Sequence, residues 1–327
     1  MTSDTSHRTP SFPKVIDSTI LAAFTACPLK AYREYFLNLS SPKISIHLHA
    51  GGAFAKAVEV IRRSRWEQDL SLKECMQAGF DAFEEKWGDY QTPEFGSGKN
   101  KTFTRMFQAV EFYFEQYPLD TDPIRPYIFP DGKSGVEFSF GVPIELRHPD
   151  TGDPIIFAGR TDLLGYYNKL CAIIDEKTTT QLGDNWINSW KMRGQFFGYV
   201  WAARQFDVPV TAAVIRGVAI LKTKFSKLQV IETGYSDFMV ERWHRNMLNR
   251  IRFMILLYEQ QKKFDMPPEE VWPMNFGDAC ASYGGCSQRD LCTSPDPTIW
   301  YGDFGARNWN PLDNAKMAEA TESKKGL

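Results

Sequence analysis

The sequence predicts an α/β fold: a mixed central sheet flanked by helices, with helical additions at its N-terminal side and a cysteine-rich segment near its C-terminal end. Two short apolar runs, 155–165 and 170–174, flank the polar break Tyr167-Asn168-Lys169, which is the pattern of a β-hairpin with a buried second strand. A helical stretch at 186–206 follows, and then two more strand-like runs at 211–221 and 229–233. Up to about residue 117 the apolar residues recur at helical rather than alternating spacing. Helices first, then strands, helix, strands and helix make an α/β core with helical additions.

Taken in order, residues 1–16 read as a flexible arm. Asp17-Ser18 caps a helix through Phe24, and Pro28 restarts it through Phe36, since proline suits the first helical position. His49-Ala50-Gly51-Gly52 opens a helix with Phe54, Val58 and Ile61 on one face. Two further helices fall near 71–88 and 101–117, with a loop at 90–100 between them, and proline makes 118–130 irregular. Strands begin at 135–140, and an amphipathic helix spans roughly 237–263. The cysteine segment occupies 276–292 and a polar tail 310–327. The whole is read as one domain over 17–309 with a helical insertion at about 66–130.

At 43% hydrophobic and 14% aromatic, 327 residues can bury a sizeable core, so disorder is not the reading for most of the chain. A net charge of −2 and a pI near 6.3 mean that any nucleic-acid contact must come from local clusters of cations. The polar start predicts no secretory signal, and no run approaches the roughly 18 apolar residues of a membrane span. The expected compartment is therefore the cytoplasm, with no membrane partner, where six cysteines read as free thiols or metal ligands.

With Asn168-Lys169 as the loop, Tyr167 faces Leu170 and Asp162 falls opposite Asp175. Opposed residues have Cβ atoms about 4.5–5.5 Å apart, where like charges repel. Two carboxylates that close in an apolar hairpin need a cation or a shared proton. Alternation adds Lys177 to the face carrying Asp175 and turns Glu176 away. An acid-x-Lys triplet alone says little, since Asp131-Gly132-Lys133, Glu84-Glu85-Lys86 and Glu322-Ser323-Lys324 also occur. A strand-end ion pair worth about 0–1 kcal/mol is the bland alternative. The apolar strand before, the second aspartate across and the helix after favour a metal site. Gln195 and Tyr199 share one face of that helix, a placement that plain packing would also explain.

Gly159-x-x-Asp162, Asp175-Glu176-Lys177-Thr178 and Gln195-x-x-x-Tyr199, in that order and spacing, resemble the PD-(D/E)XK nuclease superfamily, in its RecB-like branch. That branch includes the nuclease domains of the AddAB helicase–nuclease and the CRISPR-adaptation exonucleases. Ser18-Thr19-Ile20 followed by Phe24-x-x-Cys27-Pro28-x-x-Tyr32 resembles how such domains begin. The resemblance spans 18–292 and implies a restriction-endonuclease-like core. It implies a metal-dependent DNA nuclease, an exonuclease in recombination, repair or phage DNA processing, with a helicase or recombination protein as partner. The same fold serves structure-specific or single-strand endonucleases, and an inactive iron–sulfur DNA-binding subunit is a further alternative. By resemblance Asp162, Asp175 and the Glu176 carbonyl hold Mg²⁺ or Mn²⁺, and Lys177 orients the attacking water. Gln195 and Tyr199 then touch the DNA backbone or a ligand water. Oxygen ligands suit these hard cations. Where the branch often carries a metal-binding histidine, this chain has Ala55; Glu59, one turn on, is the expected substitute, with His49 the alternative.

Cys280, Cys286 and Cys292 are separated from one another by five intervening residues in a turn-rich segment, with Cys27 far upstream. The arrangement resembles AddB-type nucleases, which implies a [4Fe–4S] cluster on these four thiols; zinc and unligated thiols are the alternatives. Cys75 and Cys171 fit core positions. Positive charge gathers at Lys99-Lys101-Arg105, at Lys222-Lys224-Lys227 and along Arg242, Arg245, Arg250 and Arg252, where a solvated face is the default reading. The loop 90–105 interleaves Tyr90, Phe95 and Phe103 with Lys99, Lys101 and Arg105, in the manner of single-strand channels, and is the expected DNA contact. Gly132-Lys133-Ser134 has Tyr127 where a phosphate loop needs glycine, and the sequence carries no His-Glu-x-x-His or Gly-x-Ser-x-Gly.

Overall fold

The structure is a computed structural model that describes residues 9–41, 45–93, 98–180, 183–281, 285–306 and 309–312. In chain order its first elements are β1 (Val15–Ile16), α1 (Ser18–Ala26), α2 (Pro28–Tyr35), β2 (Leu39–Ser40), α3 (Ile46–Trp66), α4 (Leu72–Trp87), α5 (Phe103–Gln116) and β3 (Ile124–Pro126). There follow β4 (Ser139–Arg147), β5 (Pro154–Arg160), β6 (Leu163–Tyr167), β7 (Leu170–Thr179), α6 (Asp184–Asn188) and α7 (Gly194–Gln205). The last are β8 (Ala212–Ile220), β9 (Phe225–Glu232), α8 (Asp237–Phe264), α9 (Pro268–Val271), α10 (Asp278–Ala281), α11 (Arg289–Thr293) and β10 (Gly305–Ala306). The chain divides into two compact units.

The larger unit, Ile44–Ser139 with Arg160–Glu241, is built on a five-stranded sheet of order β3-β6-β7-β8-β9. Only β7 and β8 run parallel; the other neighbours are antiparallel, so the sheet is mixed as the sequence predicts. The parallel pair needs a crossover, and α6 and α7 supply it. Helices α3, α4 and α5 bury Phe54, Val58, Ile61, Phe83, Trp87, Met106 and Val110 together with Val218 and Ile220 of β8. Each such side chain contributes about 1.5–3 kcal/mol. Trp186 of α6 packs instead against Gly217, whose strand neighbour is Lys177. Helices thus cover both faces of the sheet.

Several elements differ from the sequence reading. α3 begins at Ile46 rather than at His49, because the Ser45 side chain accepts the His47 N–H and caps it there. The helix expected over 186–206 is two helices, with Met192 between them at φ 54°. The stretch 118–130 holds an edge strand, β3, paired to β6 from Ile124–Tyr167 to Pro126–Gly165. Proline is tolerated at such an edge. Gly165 permits the approach, since a Cβ there would lie 2.3 Å from the Arg125 carbonyl oxygen. Of the strand expected at 135–140, Val136 makes only an isolated bridge to Leu163, and β4 starts at Ser139.

The smaller unit holds Met1–Lys43, Phe140–Gly159 and Arg242–Leu327. Its three-stranded sheet has the order β1-β5-β4. Residues 9–16 are not an arm: Phe12 is buried edge-on to Phe36 and His148, and Val15–Ile16 pair with Ile156–Phe157. Residues 1–8 of the expected arm, and 313–327 of the expected tail, lie outside the described residues. Tyr32, Phe36 and Trp272 form an aromatic core with ring centroids 4.8–5.6 Å apart.

Candidate active site

The β6–β7 hairpin keeps the register expected from its turn, Tyr167 facing Leu170 and Leu163 facing Ile174. Asn168 takes φ 54° at the turn, a conformation asparagine adopts more readily than most residues. One step beyond Leu163, Asp162 leaves the ladder and its Oδ2 accepts the Glu176 N–H at 2.8 Å. Asp175 is buried and ion-paired with the Lys177 ammonium on the same strand face. That ammonium also reaches the Glu176 carbonyl at 3.4 Å. The turn therefore brings two carboxylates and a cation together.

Their titration follows from that placement. Burial, then the like charge of Asp175, pushes the Asp162 carboxyl well above the usual carboxylate range, with Lys177 opposing. Burial raises Asp175 as well, against Lys177 and Arg193. Burial disfavours the Lys177 ammonium, but Asp175 and Asp162 outweigh it and hold the proton above its ordinary range. Two carboxyls raised in this way hold a proton more tightly than free ones do. Across the strand Tyr199 is buried, its phenol raised by burial and by Asp175, and its hydroxyl accepts from Gln195 Nε2 at 2.9 Å.

Two neighbours were not singled out from the sequence. Glu137, at φ 53°, is held by Arg160 at 2.8 Å, and its N–H donates to the Asp162 carbonyl at 3.0 Å. Burial pushes its carboxyl up to about 7 despite Arg160, and Glu59 adds to the rise. An acid between Val136 and Phe138 in an apolar stretch was the available signal. Arg193 stacks over Trp190 at 4.8 Å, two residues before Gln195. Glu59 itself is engaged by Lys56 at 3.0 Å and Arg63 at 3.2 Å. His49 is occupied in packing, its ring stacked on Tyr90 at 4.0 Å and edge-on to Trp87.

Two of the three cations in the expected DNA-contact loop have hydrogen-bond partners within the protein. Lys101 is buried and donates to the Thr178 carbonyl at 3.3 Å and hydroxyl at 3.0 Å. Arg105 donates to the Leu221 carbonyl at 2.6 Å and lies 4.5 Å from the Phe225 ring centroid, tying α5 to the β8–β9 turn. Both side chains hydrogen-bond within the protein. Lys99 is exposed, and Phe95 lies outside the described residues.

Burial drives the Lys101 amine down to about 8. An amine so lowered costs stability while charged, about 3 kcal/mol for such a shift, and the cost fades as pH rises from about 8 to 10. Lys101→Met is therefore expected to raise the Tm at pH 7, with the gain shrinking toward pH 10. Thermal denaturation at both pH values checks it, and a lower Tm at pH 7 would contradict it.

The four cysteines lie in the smaller unit. Cys27 is buried, Cys286 and Cys292 half-buried and Cys280 exposed. The Cys286 N–H donates to the Cys280 carbonyl at 3.0 Å, and Arg33 Nη1 donates to Cys292 Sγ at 3.1 Å. Burial raises the Cys292 thiol, with Arg33 opposing and Cys286 and Cys27 adding to the rise. Among the described residues, however, no three or more His, Cys, Asp and Glu side chains form a group that could hold a metal. The thiols as placed do not make a closed ligand set. Cys75 and Cys171 are buried in α4 and β7, as expected of core residues.

No helix among the described residues is long and apolar enough to cross a membrane. A search of curated proteins gave no match. Among solved structures, one from Eubacterium rectale, named as a candidate exonuclease, is 14% identical with a TM-score of 0.47, covering 82% of this chain and 87% of its own. Another, SSO0001, is 13% identical with a TM-score of 0.26, covering 60% and 73%. The profile of the PD-(D/E)XK nuclease superfamily matches residues 18–293, a span that takes in the hairpin acids, Lys177 and the Gln195–Tyr199 pair. With that match and a mixed sheet flanked by helices, the chain belongs to the PD-(D/E)XK nuclease superfamily.

Proposed function

We propose that this nuclease is a metal-dependent deoxyribonuclease of the RecB-like branch, an exonuclease acting in recombination, repair or phage DNA processing. The observation that supports it most is the hairpin end, where Asp162 and Asp175 are held together beside the Lys177 ammonium. On this reading Asp162, Asp175 and the Glu176 carbonyl would hold Mg²⁺ or Mn²⁺, while Glu59, the further acid expected from the helix, is engaged by Lys56 and Arg63. The donor chemistry fits, being all oxygen. When bound, the ion supplies Lewis acidity and activates water. Lys177 orients that water and offsets the negative charge gathering on phosphorus, where a fixed ammonium is most effective. Gln195 and Tyr199, bonded to each other, face the DNA backbone, and Lys99 contacts the strand beyond. A helicase or recombination protein is the proposed partner and the cytoplasm the compartment, a reading in keeping with six cysteines that form no disulfide.

The test uses end-labelled linear DNA and closed circular DNA with Mg²⁺, Mn²⁺ or a chelator. Degradation of the linear DNA alone, and only with cation, is expected. Nicked circles would make the protein an endonuclease, and no cleavage would make it a DNA-binding scaffold.

A [4Fe–4S] cluster on Cys27, Cys280, Cys286 and Cys292, with zinc as the alternative, belongs to the same reading. Its support is the Arg33 donor at Cys292 and the influence of Cys27 and Cys286 on that thiol. Because the thiols are not closed into a ligand set, no step depends on the cluster. Anaerobically purified protein is expected to be brown, absorbing near ~400 nm. A folded, iron-free preparation would rule the cluster out.

A further inference from the structure

Between Asp175 and Lys177 the strand carries a glutamate that faces away from both. Glu176 is buried, and a buried carboxylate is tolerated only when paired. Two helices supply the partners. Arg62 of α3 donates to Glu176 Oε1 at 2.5 Å, and the Tyr113 hydroxyl of α5 donates to the same oxygen at 3.1 Å. Arg62 and Tyr113 are themselves bonded at 3.3 Å, and all three residues are buried. The backbone of Glu176 meanwhile serves the opposite side: its N–H holds Asp162 Oδ2 at 2.8 Å and its carbonyl receives the Lys177 ammonium at 3.4 Å.

One residue thus ties the helical layer to both the first acid and the cation of the site. An apolar side chain would bury more cheaply here, because a buried ion pair is often no more stabilising than a packed hydrophobic replacement. What the pair does that an apolar residue would not is fix the strand by directional bonds. We infer that Arg62 and Tyr113 are positioning residues for the cation site: by clamping the Glu176 side chain they set the peptide whose N–H aims Asp162 and whose carbonyl steadies Lys177. The inference rests on the reading of Asp162 and Asp175 as a Mg²⁺ or Mn²⁺ site. Groups that orient metal ligands in this way commonly govern affinity by about 10- to 100-fold.

The experiment is calorimetric titration of Mn²⁺ into the full chain without DNA, for wild type, Asp175→Asn, Tyr113→Phe and the double variant Arg62→Met/Glu176→Met. The double variant removes one charge of each sign, so a through-space effect on the ion largely cancels. It is expected to keep a Tm close to wild type and to bind Mn²⁺ about tenfold more weakly. Tyr113→Phe, which removes one donor and little volume, is expected to weaken binding about threefold. A folded double variant with wild-type affinity overturns the inference. If the double variant does not fold, Tyr113→Phe decides: weaker binding supports the clamp, and unchanged binding overturns it. Wild type that binds no Mn²⁺, or binds it as Asp175→Asn does, overturns the cation site itself and the clamp with it.

Discussion

Lys177→Ala is expected to slow DNA cleavage by about 10²–10³-fold, the usual cost of losing one fixed group that stabilises transition-state charge. Asp175→Ala is expected to abolish cleavage. The two effects have different origins. Lys177 keeps its proton because Asp175 and Asp162 surround it, so its charge is present at any working pH. Asp175 is one of the two acids that the hairpin turn brings together, and without it the proposed ion loses a carboxylate donor. Neither substitution removes a large apolar group, so both variants should retain their circular dichroism and cooperative melting. Single-turnover cleavage of labelled linear DNA with Mn²⁺ measures the loss. Unchanged rates in both variants would remove the hairpin from the chemistry.

The second large effect is on stability, and its sign is unusual. Asp162, Asp175 and Glu137 are all raised by burial, Glu137 to about 7. A carboxyl raised on folding binds its proton more tightly in the native state, so its contribution is full at low pH. That contribution is lost as pH rises from the ordinary carboxylate range, about 4, through the folded value. In a chelator the protein is therefore expected to lose Tm between about pH 5 and 8, and Mn²⁺ is expected to restore it, most strongly at the upper end. Asp162→Asn should raise the cation-free Tm at pH 8 by a few degrees while losing the Mn²⁺ response, since an amide oxygen can still accept the Glu176 N–H. Melting curves across pH, with and without Mn²⁺, check this. A cation-free Tm that rises toward pH 8, or an Asp162→Asn variant less stable than wild type there, would contradict it.

What could be read from the sequence was what period and turn chemistry control. Alternation across 170–178 and the break at Asn168 were enough to place Asp162 near Asp175 and to turn Glu176 away from Lys177. Capping by Asp17 and the restart at Pro28 were equally local. Glu137 was missed because it belongs to no ladder: it sits at φ 53° just before β4, where alternation says nothing of direction. The break between α6 and α7 was hidden because apolar residues continue on both sides of it. Lys101 and Arg105 looked like a DNA-facing cluster because sequence displays charge but not burial, and only the fold shows that Thr178 and Leu221 consume their donors. The same limit concealed Arg62, one arginine among many until α3 is laid against β7.

The most direct measurement is anomalous diffraction from crystals grown with Mn²⁺. The account predicts a single strong peak within coordination distance of the Asp162 and Asp175 carboxylates, lost in Asp175→Asn crystals. Manganese bound elsewhere, with those two side chains bridged by a proton or by Lys177 alone, would contradict it.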